Sequence, residues 1–167
     1  YYEKAEKLND SNAMNNLGIL YEYGYGVKQD YLKAKEYYEK AAKLNDSTAL
    51  NNLGDLYYNG YGVKQDYLLA KFYYEKAANL KYSDAFIMLG DIYYYGHGVE
   101  QDYSKAKDFY KKSSELDNSE GLVKLGNLYY YGYGVKQNYL KAKNYYEKAA
   151  DFNYSDAFNK LGDIYYY

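Results

Sequence analysis

Few side chains here are suited to bond-making chemistry, and their spacing keeps them apart. None of the 167 residues is cysteine and a single one, His97, is histidine. Without cysteine there is no thiol nucleophile, no thiolate metal site and no disulfide framework. His97 lies between Gly96 and Gly98, where sibling loops carry Tyr25, Tyr61 and Tyr133. That reads as a solvent-facing loop residue, and one imidazole makes no metal site by itself. Asp55, Asp91 and Asp163 occupy the same place in a repeating frame. Equivalent places on stacked helix pairs lie roughly 10 Å apart, given helix spacings of about 8–10 Å, too far to share one ion. A catalytic site needs a nucleophile, a base and an orienting group that converge, and no such set stands out. The expectation is a protein that is not an enzyme, with no catalytic residue, no metal and no cofactor.

The Gly-Tyr-Gly-Val loops would cradle a phosphate only after a strand and before a helix opening with Lys-Ser or Lys-Thr. Here they follow helical patterns, which makes the glycines helix stops. The remaining chemistry is tyrosine, 31 residues of it, with runs at 93–95 and 129–131. Such rings can stack on bases or sugars. Nucleic acid also asks for a basic groove. All 21 basic residues are lysine and the net charge is −2, so no nucleic-acid partner is expected. A mean hydropathy of −0.80 and the lack of a long apolar run argue against membrane insertion.

The elements that carry these residues follow from self-similarity. Leu-Gly-x-x-Tyr-x-x-Gly-x-Gly-Val-x-Gln recurs at 17–29, 53–65, 89–101 and 125–137, always 36 residues apart. Whole repeats run 11–46, 47–82, 83–118 and 119–154, with half repeats at 1–10 and 155–167. The chain starts at Tyr1 and stops inside the pattern, which reads as a piece of something longer. In the second repeat Ala49, Leu50, Leu53, Leu56 and Tyr57 form one helical stripe over about 47–58. Asp46 or Ser47 caps its start and Gly60 stops it. After the cap Asp66, a second helix over about 67–80 shows Ala70, Tyr73, Tyr74, Ala77 and Ala78 on its stripe. One hairpin cannot bury its stripe alone, but stacked hairpins can, which gives a solenoid. The mid-helix glycines Gly18, Gly54, Gly90, Gly126 and Gly162 predict a helix contact too close for a Cβ. The tyrosines at position 11 of each repeat (Tyr21, Tyr57, Tyr93, Tyr129, Tyr165) and those of the second helix are expected in the core.

The combination Ala-x-x-x-Leu-Gly-x-x-Tyr-x-x-Gly-x-Gly-Val-x-x-Asp-x-x-Lys-Ala, followed by Tyr-x-Lys-Ala-Ala, resembles the Sel1-like repeat family, a relative of the tetratricopeptide repeat. The resemblance covers the whole chain. Departures are Gly121 for Ala, Ser113–Ser114 for Ala-Ala, Asn138 for the Asp cap and Leu69 for Lys; the serine pair is expected to weaken packing locally. The resemblance implies an all-α fold, a right-handed α/α superhelical solenoid of 36-residue helix-turn-helix repeats. It also implies an adaptor or scaffold for protein contacts, common in bacteria, with no catalysis.

Positions 2, 5, 9, 12 and 13 of the first helix form a face distinct from the buried stripe. By resemblance to tetratricopeptide repeats this face lines the concave groove. Its columns vary along the chain while core columns hardly do. The expected partner-binding residues are Asn15, Ile19, Tyr23, Asn51, Asp55, Tyr58, Ile87, Asp91, Tyr94, Tyr95, Val123, Asn127, Tyr130 and Tyr131. Asparagine both donates and accepts, which suits an extended peptide backbone, and tyrosine adds rigid area with a hydroxyl. No lysine occupies positions 5, 9, 12 or 13, so the expected partner is a neutral to basic protein or peptide, not an acidic carboxylate terminus. The third repeat is the most acidic and holds His97, Ile87 and Met88, which makes it a candidate specificity patch, with neutral drift as the alternative. Other readings of the same face are a carbohydrate or cell-wall-fragment binder and a self-assembling solenoid that associates head to tail. The lack of cysteine suits cytosol and periplasm alike; the resemblance tilts the expectation toward export.

Overall fold

The computed structural model describes residues 10–165. The half repeat expected at 1–10, except Asp10, lies outside the described residues, as do Tyr166, Tyr167 and the side chain of Tyr165. Among the described residues there are nine α-helices and no strand: α1 (Ser11–Tyr23), α2 (Tyr31–Lys43), α3 (Ser47–Asn59), α4 (Tyr67–Asn79), α5 (Ser83–Tyr95), α6 (Tyr103–Ser114), α7 (Ser119–Tyr131), α8 (Tyr139–Asp151) and α9 (Ser155–Tyr165). The fold is all-α, and each 36-residue repeat is a helix-turn-helix pair, as the periodicity requires.

Local chemistry sets each boundary. Asp46 accepts the N–H of Ala49 at 2.9 Å and opens α3. Asp30 accepts from Leu32 and Lys33, both at 3.1 Å, and opens α2. Asn138 does the same for Lys141 at 2.9 Å, so an amide there preserves the cap that aspartate provides elsewhere. At the other end of α3, Gly60 takes the left-handed conformation, φ 75°, and its N–H reaches Leu56. The repeated glutamine then finishes the turn. Gln29, Gln65, Gln101 and Gln137 each donate from Nε2 to the carbonyl of Glu22, Tyr58, Tyr94 or Tyr130, at 2.7–2.9 Å. Each bond satisfies a carbonyl that the helix end would otherwise leave unpaired.

The division between two compact units falls after Ala85, within α5. In the first unit α1 packs on α2, α2 on α3 and α3 on α4. Tyr38 and Ala41 of α2 share one core with Ala49, Leu53 and Leu56 of α3, so one hairpin seals the next. In the second unit α6 packs on α7, α7 on α8 and α8 on α9. Ala106 and Tyr110 pack with Leu125 and Leu128, and Ala142, Tyr146 and Ala149 pack with Leu122 and Ala157.

The position-11 tyrosines differ from expectation. Tyr21, Tyr57, Tyr93 and Tyr129 are half-buried and lie flat against Tyr37, Tyr73, Phe109 and Tyr145, with centroids 5.6–5.8 Å apart. They therefore edge the core instead of filling it. Lys33, Lys105 and Lys141 place ammonium groups about 5 Å over these rings, which accounts for the lysine that Leu69 replaces in the second repeat.

Two departures in the repeat pattern prove to be one adjustment. Ser113 is fully buried, and its hydroxyl has no hydrogen-bond partner. A Cβ on Gly121 would lie 2.6 Å from Ser113 Oγ and 2.7 Å from its Cβ. The glycine therefore makes room for the serine, where the other junctions set alanine against alanine. Ser113→Ala should stabilise the chain by about 1–2 kcal/mol, because an orphaned buried hydroxyl is removed. Gly121→Ala should destabilise it, although alanine favours helix by about 1 kcal/mol. Combined with Ser113→Ala, which removes the 2.6 Å contact with Oγ but keeps the Cβ at 2.7 Å, it should recover part of that loss, a coupling of about 1 kcal/mol in urea unfolding; strict additivity would contradict the account.

Candidate functional site

The face expected to meet a partner is built on a buried layer of tyrosines. Tyr38, Tyr74, Tyr110 and Tyr146, at position 28 of each repeat, are 0–1% exposed. Each ring covers the mid-helix glycine of its own repeat, and a Cβ on Gly18, Gly54, Gly90 or Gly126 would collide with it. At these four glycines the predicted close contact is thus a ring on bare backbone, whereas a Cβ on Gly162 would have nothing within 4 Å. A buried phenol needs an acceptor. Tyr74 donates to Asp55 Oδ1 at 2.7 Å, Tyr110 to Asp91 Oδ1 at 2.6 Å and Tyr146 to Asn127 Oδ1 at 2.7 Å. In the first repeat position 9 is Ile19, which packs against the core. Tyr38 there donates to Glu22, one turn further along α1, at 2.5 Å. Glu22 stands where the other repeats have Tyr58, Tyr94 and Tyr130.

Position 5 requires a correction. Asn15 and Asn51 are 6% exposed, Ile87 4% and Val123 3%, so the side chains expected on an open face belong to the packing layer. Asn15 is met by the next repeat, whereas Asn51 bonds within its own helix. Asn52 Nδ2 donates to Asn15 Oδ1 at 3.0 Å, and Asn51 Nδ2 donates to Asp55 Oδ2 at 3.1 Å. The residues that reach the preceding repeat, Asn52 and Lys124, stand at position 6, which the helical-face argument passed over. Lys124 is the clearest: its Nζ donates to both carboxylate oxygens of Asp91 at 2.9 Å and lies 3.9 Å from Glu120. The column reads Asn16, Asn52, Met88, Lys124, Lys160, and that variability was the available signal.

Electrostatics follow from burial. The Asp55 carboxyl is pushed up to about 6, chiefly by burial, with the charges of Glu22 and Asp84 adding and the Tyr74 hydroxyl opposing. Burial also raises Glu22. Burial works against the Lys124 ammonium, but the Asp91 carboxylate outweighs it and holds the group above its ordinary value.

What remains open is aromatic. Tyr23, Tyr95 and Tyr131 are more than half exposed, while Tyr58, Tyr94 and Tyr130 are half-buried. In the second unit these rings join tyrosines outside the expected set. Tyr94 meets Tyr95 at 4.8 Å, Tyr103 at 5.2 Å and Tyr133 at 6.0 Å. Tyr133 stacks on Tyr103 and Tyr131, and Tyr130 meets Tyr131 and Tyr139. His97 stacks on Tyr95 at 5.4 Å, so the lone imidazole is part of this surface. Beside Tyr130 and Tyr139 lies a cleft of about 230 Å³, closed by Asp163 and Ile164. Burial and neighbouring phenols push Tyr94 up to about 12, so its hydroxyl stays a protonated hydrogen-bond donor at neutral pH.

Comparison with known proteins bears on the repeat fold. The family model for the Sel1 repeat matches residues 11–46, 47–82, 83–118 and 119–151. A Sel1 repeat protein from Oxalobacter formigenes is 34% identical, with a TM-score of 0.91, over 98% of this chain and 67% of that one. The protective antigen c5321 of uropathogenic Escherichia coli, which displays the SLR fold, is 31% identical with a TM-score of 0.82, over 98% of this chain and 35% of that one. Helicobacter pylori cysteine rich protein B is 32% identical with a TM-score of 0.61, over 81% of this chain and 98% of that one. This chain thus spans about two thirds of the first of these and about a third of the second. No curated protein sequence matches it.

Asp55 offers a test of the buried layer. Its folded-state value of about 6 lies above the ordinary 3.8. The stability it contributes is therefore fully present below about pH 4 and is lost as pH rises through 6. Asp55→Asn keeps an acceptor for Tyr74, as Asn127 does for Tyr146, but does not titrate. Urea unfolding should show the variant gaining about 1–3 kcal/mol on the parent between pH 4 and pH 8; a difference that stays flat with pH would contradict the assignment.

Proposed function

Because this chain belongs to the Sel1 repeat family, we propose that it is an interaction scaffold, not an enzyme, and that it holds a protein or peptide against its tyrosine face. The carrying observation is the ring network of the second unit, in which Tyr95, Tyr131 and Tyr133 are 54%, 52% and 38% exposed. Tyrosine rings lose little conformational freedom on binding and offer both apolar area and a hydroxyl, which is why they recur at interface hot spots. Here their neighbours already hold them, so little ordering is left for the partner to impose. Asp91 and Asn127 support the face from behind through Tyr110 and Tyr146. In the first unit Tyr23 and Tyr58 stand at the corresponding places, with Asp55 behind them. Backbone donors and acceptors of an extended peptide can pair with the phenols. The acidic groups of the face, Asp55 and Glu22, favour a neutral to basic sequence over an acidic one.

Peptides selected from a displayed random library on the whole chain should bind Tyr95→Ala/Tyr131→Ala at least about tenfold more weakly, with helix content unchanged. An acidic peptide with a free C-terminal carboxylate should not saturate the face. Equal affinity for the double variant, or saturable binding of the acidic peptide, would overturn this reading.

A further inference from the structure

Asn59 is the one asparagine of the chain that precedes a glycine, Gly60. At the same place in other repeats Tyr23, Tyr95 and Tyr131 precede Gly24, Gly96 and Gly132. An Asn-Gly pair carries chemistry that Tyr-Gly does not. The Gly60 backbone nitrogen, once hydroxide has taken its proton, can attack the Asn59 side-chain carbonyl carbon Cγ. A Cγ–N bond forms and the Cγ–Nδ2 bond breaks. Ammonia leaves with a proton from water, which restores the hydroxide. Water then adds across either carbonyl–nitrogen bond of the five-membered imide and gives aspartate or its backbone-shifted isomer, isoaspartate. Glycine presents no Cβ to hinder the attack, and Asn59 is exposed.

The fold holds this pair back from reaction. Asn59 is the last residue of α3, and ring closure requires its backbone to leave the helical conformation. Its Nδ2 donates to the Asp55 carbonyl at 2.9 Å, which keeps the carboxamide one turn back along the helix. The Gly60 N–H, whose proton must go, donates to the Leu56 carbonyl at 2.9 Å, and the Tyr61 N–H reaches the same oxygen at 3.0 Å. Gln65 Nε2 closes the turn on the Tyr58 carbonyl at 2.8 Å. Both side-chain bonds are exposed, and exposed bonds at a helix end open far more often than the whole chain unfolds. We propose that Asn59–Gly60 is a spontaneous modification site gated by the end of α3, cyclising only when the last helical turn opens. The product acts back on the gate. A carboxylate at the C-terminal end opposes the helix dipole, and it stands four residues from Asp55, a spacing at which like charges repel. Isoaspartate adds a carbon to the backbone and moves the Gly60 N–H out of register with Leu56. Conversion therefore loosens the α3–α4 turn, and refolding does not reverse it.

The test incubates the whole chain in mildly alkaline buffer, with and without urea, and follows every asparagine by peptide mapping with mass spectrometry. In urea Asn59 should convert faster than any other asparagine. In the folded chain its conversion should be at least about tenfold slower, the reduction that a closed helix end imposes. Gln65→Ala, which removes the bond to the Tyr58 carbonyl from an exposed side chain, should convert severalfold faster than the folded parent, with helix content unchanged. The converted chain, separated by its added charge, should unfold at lower urea than the parent. No preference for Asn59 in urea would overturn the site. Equal rates with and without urea, or Gln65→Ala converting at the parent rate, would overturn the gate. An unchanged unfolding midpoint would overturn the action of the product on the turn.

Discussion

A phenol ring laid on bare backbone governs this structure. Position 28 of each repeat drives a tyrosine into the seam between its two helices, where the ring meets a glycine and its hydroxyl must still find an acceptor. The ring fixes position 8 as glycine, because any Cβ would occupy the space of Tyr38, Tyr74, Tyr110 or Tyr146. The hydroxyl fixes an oxygen at position 9, supplied by Asp55, Asp91 or Asn127. The first repeat tests the rule internally. Ile19 removes the oxygen, and Glu22 restores it one turn later. Two chemically different solutions to the same demand indicate that the demand comes from the buried phenol.

This constraint divides the face into two layers. Carboxylates and amides that look available in sequence are committed to the tyrosines beneath them or to the next repeat. Asp91 is held by Tyr110 and Lys124 at once, and Asn15 is closed by Asn52. Above them stand Tyr23, Tyr95 and Tyr131, more than half exposed and braced by neighbouring rings. The polar layer sets register between repeats, and the aromatic layer meets solvent.

Much of the fold was legible in the sequence because periodicity, caps and helix-stopping glycines are local signals. Asp46, Gly60 and Asp66 mark their boundaries by mechanisms that need no tertiary knowledge. The mid-helix glycines announced a close contact, though not its partner. The face was harder to read. Variation among repeats at position 5 suggested exposure, but Asn15, Asn51, Ile87 and Val123 are all buried. Column variability cannot separate a residue that adapts to a partner from one that adapts to the adjoining helix. Ser113 and Gly121 make the same point: each is a departure on its own, and their relation emerges only when α6 lies against α7. Tyr133 was passed over for a different reason, since a loop residue contributes to a helical face only through the turn geometry that folds it back.

Unfolding of Gly54→Ala by urea, set beside Gly162→Ala, tests the central constraint most directly. Both glycines lie at position 8 of a first helix, but Gly54 lies under the Tyr74 ring while nothing stands within 4 Å of a Cβ on Gly162. Helix propensity alone favours alanine at both by about 1 kcal/mol. The account predicts that Gly54→Ala loses about 2–4 kcal/mol through overpacking while Gly162→Ala is neutral or stabilising. Equal, favourable effects at both sites would show that the ring does not require bare backbone, and the account would fail.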